Sequence, residues 1–166
     1  MLEFLVKSVL IGAGATAIFD VWVKILTLFG LPGANWTLGG RWFAYIPRGK
    51  LVHESIATSP PLPNETAIGW VMHYVTGIVF AAALILIWGM EWTREPTQGP
   101  AIIVGLSTVL LGWCVMSPCM GGGIAGQKRP DRWKVRVVQL ANHYVFGLGL
   151  WLTALVINGF VAGLNG

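Results

Sequence analysis

The chain is a succession of long apolar stretches separated by segments rich in proline and glycine. The apolar stretches span residues 5–29, 67–90, 100–120 and 135–162. Each reaches the length of about 20 residues that an α-helix needs to cross the hydrocarbon core of a bilayer. In lipid only helices and closed barrels satisfy all their backbone groups, and stretches this long indicate helices. The pattern therefore predicts an all-α polytopic membrane protein, a four-transmembrane-helix bundle that forms a single domain over residues 1–166.

The composition supports a membrane protein and argues against a soluble domain. Of the 166 residues, 55% are hydrophobic and only 11% are charged, whereas about 25% of the residues of soluble domains are charged. The mean hydropathy is +0.68. The formal net charge of +4 does not require a nucleic-acid partner, because the basic residues cluster in two loops between the predicted helices.

The first apolar stretch is the least apolar of the four, because it contains Lys7, Asp20 and Lys24. Its amino end, MLEFLVK, lacks the basic cluster that opens a secretory signal peptide. The stretch is also longer than the apolar region of such a signal. We therefore expect a helix of the mature protein rather than a cleaved signal peptide.

Basic residues in the loops set the expected orientation. Those of loops one and three are Arg41, Arg48, Lys50, Lys128, Arg129, Arg132 and Lys134. In loop two, Arg94 is balanced by Glu91 and Glu95. By the positive-inside rule, loops one and three face the cytoplasm, and both termini face outward.

Loop one, residues 30–66, is long and amphipathic, with tryptophan, phenylalanine and tyrosine beside basic residues. Aromatic and basic side chains together suit the membrane interface. Two interpretations are open. The loop is either a helix that lies flat on the lipid headgroups, or a lid that folds over the cytoplasmic end of the bundle. The candidate lid residues are Arg41, His53 and Glu54.

Two similar pentapeptides occur near the starts of the second and fourth helices, HYVTG at 73–77 and HYVFG at 143–147. The first and third helices each carry a glycine-rich start that leads to a threonine, GAGAT at 12–16 and GLST at 105–108. This internal similarity predicts two pseudo-repeated helical hairpins related by an axis along the membrane normal.

The repeated histidines and one carboxylate are expected to lie in one polar layer near the cytoplasmic side. At about 1.5 Å per helical residue, His73 and His143 lie roughly 9–11 Å from that end, and Asp20 roughly 14 Å. An ionisable group inside a membrane helix costs at least about 2.5–3.5 kcal/mol, so it faces the bundle interior and finds a partner. We therefore predict a ligand or proton site, whose residues are Asp20, His73, Tyr74, His143 and Tyr144.

Structural interpretations of the same residues are also open. Asp20 lies four residues before Lys24, so the two share a helix face and can pair. Asp20 can equally be a tether that is hydrogen-bonded to another helix. Gly77 and Gly147 each follow a histidine by four residues, and glycine on a membrane helix usually marks close packing. The repeated string can therefore be a packing device.

Two metal hypotheses follow from the side chains. His73 and His143 could hold a haem b iron from both sides, or contact a quinone. The sulfur atoms of Cys114, Met116 and Cys119 suit Cu(I). The alternative for this sulfur-rich segment is apolar packing, with both cysteines as free thiols, because neighbours on one helix rarely reach disulfide geometry.

The chain resembles one family of small bacterial inner-membrane proteins, catalogued as domain of unknown function twenty-nine thirty-eight. The resemblance covers nearly the whole chain and rests on GATAIFDVW, GRWFAYIPRG, GWVMHYVTGIVFA, MSPCMGGGIA and HYVFGLGLW. It implies a four-helix protein of the bacterial inner membrane and supplies no activity. Met116, Pro118 and Gly121 match the family pattern, whereas Cys114 and Cys119 do not, which argues against a cysteine-based site. Pro118 is expected to end the third helix.

The leading functional hypothesis is a membrane protein that binds or passes a small solute or proton through the polar layer. The spacings of a Ser-His-Asp triad or a zinc protease are absent from the sequence, so a non-enzymatic role is favoured. Four helices rarely enclose a transport path alone, so we expect a homo-oligomer or a larger membrane complex. The alternatives are a redox subunit with haem b or quinone at His73 and His143, and an assembly subunit without a ligand.

Overall fold

The computed structural model describes residues 1–164 and is entirely helical in its regular structure. The main helices are α1 (Leu2–Leu28), α2 (Trp36–Tyr45), α3 (Glu65–Trp88), α4 (Gln98–Cys119) and α5 (Arg132–Leu164). Four of them, α1, α3, α4 and α5, are long and apolar enough to cross a membrane. The all-α prediction with four candidate membrane-spanning helices is therefore confirmed.

Each long helix begins slightly before the apolar stretch that predicted it. The added residues at the starts of α3, α4 and α5 are polar or charged, beginning with Glu65, Gln98 and Arg132. Hydrophobicity marks the part of a helix that suits the lipid core, whereas backbone hydrogen bonding continues into the interface. The starts of the helices thus lie outside the apolar stretches.

Helix α1 packs against both α3 and α5, and α5 packs against both α1 and α4. The buried core shared by these helices includes Ile11, Ala15, Leu84, Ile85, Phe146 and Leu150. Many large apolar side chains on the outer faces are exposed, as a lipid environment requires of a membrane protein.

Small residues allow these helices to approach closely. A Cβ atom added to Gly12 of α1 would overlap the backbone of Ile78 in α3. One added to Gly105 of α4 would lie 2.6 Å from Gly147 Cα in α5. Close approach through glycine is a common way for membrane helices to pack, since lipid supplies no hydrophobic force between them.

Helix α4 contains a wide turn that lies just before its proline. Residues Gly112–Met116 form a π-helix, and Pro118 follows within the last helical turn. The wider turn accommodates the missing amide donor and the bulk of the proline ring. The helix therefore continues through Pro118 and ends at Cys119, so the expectation that Pro118 ends it is wrong by one residue, while the predicted stretch 100–120 ends one residue beyond it.

Loop one folds back onto the bundle. Helix α2 begins with Asn35, whose side chain accepts a hydrogen bond from Leu38 N at 3.0 Å, and it packs along the start of α3. The chain then reaches the end of α4, where His53 N donates to Cys119 O at 2.8 Å and Ile56 N donates to Met120 O at 3.0 Å. This arrangement fits the lid interpretation of loop one.

Candidate functional site

Asp20 is the centre of a polar cluster between α1 and α3. Its Oδ2 atom accepts a hydrogen bond from the Tyr74 hydroxyl at 3.0 Å, and its Oδ1 atom lies 3.0 Å from His73 Nε2. The predicted pair with Lys24 is not formed in the part of the chain described here, where the Lys24 side chain is exposed. The Asp20 carboxylate instead accepts hydrogen bonds from two side chains of the neighbouring helix α3.

Aromatic rings from three helices enclose His73. The Trp36 ring of α2 stacks on the imidazole with 3.9 Å between ring centroids. Phe19 of α1 and Trp70 of α3 lie at 5.4 and 6.1 Å. As a result, the His73 side chain is only 13% exposed and the Asp20 side chain 20%. The cluster is thus largely shielded on the side that loop one covers.

The position of His73 follows from two glycines on the same helix face, Gly69 one turn before it and Gly77 one turn after it. A Cβ at Gly69 would overlap the carbonyl of Trp36, and a Cβ at Gly77 would overlap the Thr16 hydroxyl. Gly69 thereby lets α2 approach α3, while Gly77 lets α1 approach it. The histidine between them lies where three helices meet.

His143 has a different partner and a fixed hydrogen-bonding role. Its Nδ1 atom lies 2.7 Å from the Thr108 hydroxyl of α4, and that hydroxyl donates its single proton to Gly105 O at 2.6 Å. Nδ1 of His143 is therefore the donor of the pair. The neighbouring Tyr144 is 43% exposed on the outer face of α5.

The predicted polar layer is therefore divided into two hydrogen-bonded sets. Asp20, His73 and Tyr74 join α1 to α3, whereas Thr108 and His143 join α4 to α5. The two glycines of the repeated string contact the same helix as the histidine before them. Each copy of the string thus lies at the contact between its own helix and the preceding membrane-spanning helix.

Two further polar contacts between helices were not predicted from the sequence. Trp22 Nε1 of α1 donates to Asn142 Oδ1 of α5 at 3.0 Å, and Trp113 Nε1 of α4 donates to Gln139 Oε1 of α5 at 2.8 Å. The sequence did contain a sign of these contacts, because Gln139 and Asn142 are two amide side chains within one apolar helix. Such groups hydrogen-bond across membrane helices.

Arg41 links α2 to α3 and to the rest of loop one through hydrogen bonds. Its guanidinium donates to both oxygens of Glu65 at 2.7 and 2.8 Å and to Ser59 O at 2.9 Å. Hydrogen bonding to the Glu65 carboxylate raises the pKa of Arg41 above its ordinary value, so the cation persists at all physiological pH values. Both side chains are nearly buried, at 11% and 12% exposed.

The two other candidate lid residues, His53 and Glu54, differ in burial. His53 is 3% exposed, and its Nδ1 atom lies 2.8 Å from Ser59 Oγ. The side chain of Glu54 is exposed, and its carbonyl lies so close to Gly121 that no Cβ would fit there. Gly121 also has a φ of 91°, which favours glycine.

The sulfur-rich segment, with Cys114, Met116 and Cys119, forms the carboxyl-terminal end of α4. Cys114 and Cys119 are both free thiols, the first exposed and the second partly buried. Within residues 1–164, no cluster of three or more histidine, cysteine, aspartate or glutamate residues is arranged to hold a metal ion. The Cys119 carbonyl instead accepts the His53 amide. The copper hypothesis gains no support from this arrangement.

A comparison with known protein families identifies the family of the chain. A family described as Protein of unknown function (DUF2938) matches residues 9–157, which is most of the sequence. The chain belongs to the DUF2938 family. No curated protein matches it significantly, and no solved structure does.

In this DUF2938 protein, the histidines of the repeated string each bond to a side chain of the preceding membrane helix. Haem or quinone binding by His73 and His143 stays a prediction. An absorption spectrum of the protein purified from its native membrane checks the haem hypothesis, because a bound haem would give a Soret band.

Proposed function

We propose that the protein binds a proton at Asp20, and that it passes a proton or a small solute through the polar layer near loop one. The observation that supports this most directly is the bonding of the Asp20 carboxylate to two titratable donors, His73 and Tyr74, within two membrane-spanning helices. Ionisable groups at such depth are costly and commonly mark proton or ion pathways.

The chemistry of the cluster suits proton exchange. A carboxylate, an imidazole and a phenol lie within hydrogen-bonding distance, so one proton can be shared or transferred among them without a large movement. Histidine is the side chain whose charge changes most readily near physiological pH. A change in protonation of His73 would alter its bond to Asp20 and its stacking on Trp36, which links the site to α2.

Helix α2 is the proposed lid of this site. Trp36 covers His73 at a centroid distance of 3.9 Å, and the Arg41–Glu65 ion pair holds α2 in that place. His53 and Glu54 lie where loop one meets the end of α4. Movement of α2 would therefore uncover His73, and Arg41 is the residue that opposes the movement.

The internal repeat, the assembly and the membrane orientation of the chain are also part of this proposal. Gly77 contacts Thr16 of α1, and Gly147 contacts Ile102 of α4, so each repeated glycine packs on the preceding membrane-spanning helix, which supports a pseudo-repeat. When Thr16 is aligned with Thr108, Gly112 stands at the position that corresponds to Asp20, so the Asp20 carboxylate has no counterpart in the second half. We propose an oligomer in the bacterial inner membrane, with both termini outside.

A flux measurement in vesicles tests the proton-binding proposal. The protein is reconstituted with a pH-sensitive dye inside, and a potassium diffusion potential drives protons across the membrane. We expect proton flux from the parent protein and at least about a tenfold loss with Asp20→Asn, since the variant keeps the shape but cannot ionise. The matched control is Glu91→Gln, which neutralises a carboxylate that is 81% exposed in loop two.

The same variants separate proton binding from a purely structural role. Asp20→Asn that remains folded with unchanged flux, or a parent protein without flux, would refute the proton-passing role. An unfolded Asp20→Asn would instead favour the tether interpretation, because asparagine retains acceptor capacity on only one oxygen for two donors.

A further inference from the structure

An open groove lies between the end of α1 and the first turns of α5, and none of its lining residues belongs to the Asp20 cluster. Its volume is about 470 Å³. The lining includes Leu26, Leu31, Trp133, Lys134, Val138 and Ala141. All but Lys134 are apolar, so the groove is an open apolar surface depression with one basic residue in its lining.

The groove has a buried floor and an exposed rim. Leu26 and Val138 are 8% and 9% exposed, whereas Trp133 is 67% exposed. At about 1.5 Å per residue, Ala141 lies roughly 13 Å along α5 from its first residue, Arg132. The groove therefore runs from the membrane interface, where tryptophan is favoured, into the depth occupied by acyl chains.

Lys134 lines this groove, and the neighbouring part of loop three and the start of α5 are rich in basic residues. Two of the nearby basic residues are engaged: Arg129 pairs with Asp131 at 3.1 Å, and Arg136 lies 4.7 Å from the Trp133 ring centroid. The remaining three are Lys128, Arg132 and Lys134. All three are exposed, and among residues 1–164 none has a carboxylate within 4.0 Å.

We propose that this groove binds an anionic phospholipid. One acyl chain lies along Leu26, Val138 and Ala141, and the headgroup phosphate is held by Lys134 beside the Trp133 ring. Basic side chains at the interface end of a groove between membrane helices are a known arrangement for anionic headgroups. Lys128 and Arg132 add to the positive potential that favours an anionic lipid over a zwitterionic one.

Membrane orientation alone does not account for this arrangement. The positive-inside rule requires basic residues in loop three but no groove beside them. The groove floor is formed by the side chains of two different helices, and its rim carries an exposed tryptophan next to an unpaired lysine. A phospholipid supplies both the apolar chain and the negative charge that these features match.

Native mass spectrometry of the full-length protein tests the proposal. The protein is released from detergent with phosphatidylglycerol or phosphatidylethanolamine of the same acyl chains, at low ionic strength. We expect phosphatidylglycerol to be retained preferentially. Lys134→Gln should weaken its binding about fivefold, as the loss of one interfacial charge implies, whereas the control Lys50→Gln in loop one should have no effect. Ala141→Phe should reduce the binding of both lipids by filling the groove.

Three outcomes would overturn the proposal. One is equal retention of the two lipids. Another is that Lys134→Gln and Ala141→Phe both leave lipid binding unchanged, while thermal unfolding shows that the variants are folded like the parent protein. The third is rapid disulfide cross-linking between chains in native membranes when Val137, an exposed residue of the groove lining, is replaced by cysteine, because a second copy would then occupy the groove.

Discussion

Single residues determine how closely the membrane helices approach one another, and the glycines of the repeated string are the clearest case. A Cβ at Gly77 would overlap the Thr16 hydroxyl, and one at Gly147 would lie 3.0 Å from Ile102 Cα. By contrast, a hydrogen bond between membrane helices contributes about 0.6 kcal/mol on average. At these positions we therefore expect packing to contribute more stability than the histidine bonds.

This comparison predicts an order of stability effects. Gly77→Leu should destabilise the fold by about 1–3 kcal/mol or more, because the added side chain forces α1 and α3 apart. His143→Ala should cost less than about 1 kcal/mol, since it removes a single interhelical bond. The control is Gly159→Leu, at a position with open space around the new side chain. Thermal unfolding in detergent gives the order, and a larger cost for His143→Ala than for Gly77→Leu would contradict it.

At the scale of elements, α2 is not one of the candidate membrane-spanning helices, and its place depends on its packing against α3. Its contacts include the close approach of Gly69 to Trp36, the stacking of Trp36 on His73 and the Arg41–Glu65 pair. A guanidinium holds both carboxylate oxygens at once, which an ammonium cannot do. Docking of α2 therefore rests on the chemistry of arginine and not on positive charge alone.

Replacing Arg41 by lysine should loosen α2 while the four long helices stay folded. We expect hydrogen exchange of the α2 amides to become at least about tenfold faster, which corresponds to about 1.4 kcal/mol. Lys50→Arg is the control, because Lys50 is exposed and only approaches the Tyr45 ring at 5.7 Å. Unchanged exchange in Arg41→Lys would mean that packing at Gly40 and Gly69 alone holds the helix.

For the molecule as a whole, the distribution of basic residues predicts one orientation. Cytoplasmic reporters fused after Lys50 or Lys134 should be active, and a reporter fused at the carboxyl terminus should not, because loops one and three carry the excess of basic residues. Active carboxyl-terminal fusions would reverse the orientation. They would also place the Asp20 cluster near the outer face.

The sequence was sufficient for the parts of the fold that depend on local chemistry. Apolar length predicted the four long helices, and helical rise predicted that Asp20 and His73 lie at one depth, which agrees with their contact. The stacking of Trp36 on His73 could not be predicted, because it depends on where loop one returns to the bundle. The split between Asp20 and His143 could not be predicted either, since equal depth does not specify which helices are neighbours.

The order of the helices along the chain has a consequence for biosynthesis. Helix α1 precedes both of its main partners, α3 and α5. Until α3 is inserted, the Asp20 carboxylate lacks the His73 and Tyr74 donors. Helix α4 likewise precedes α5, its main neighbour. The contacts of α1 and α4 with α5 therefore form only after α5 has been synthesised, when Asn142 can accept the hydrogen bond from Trp22.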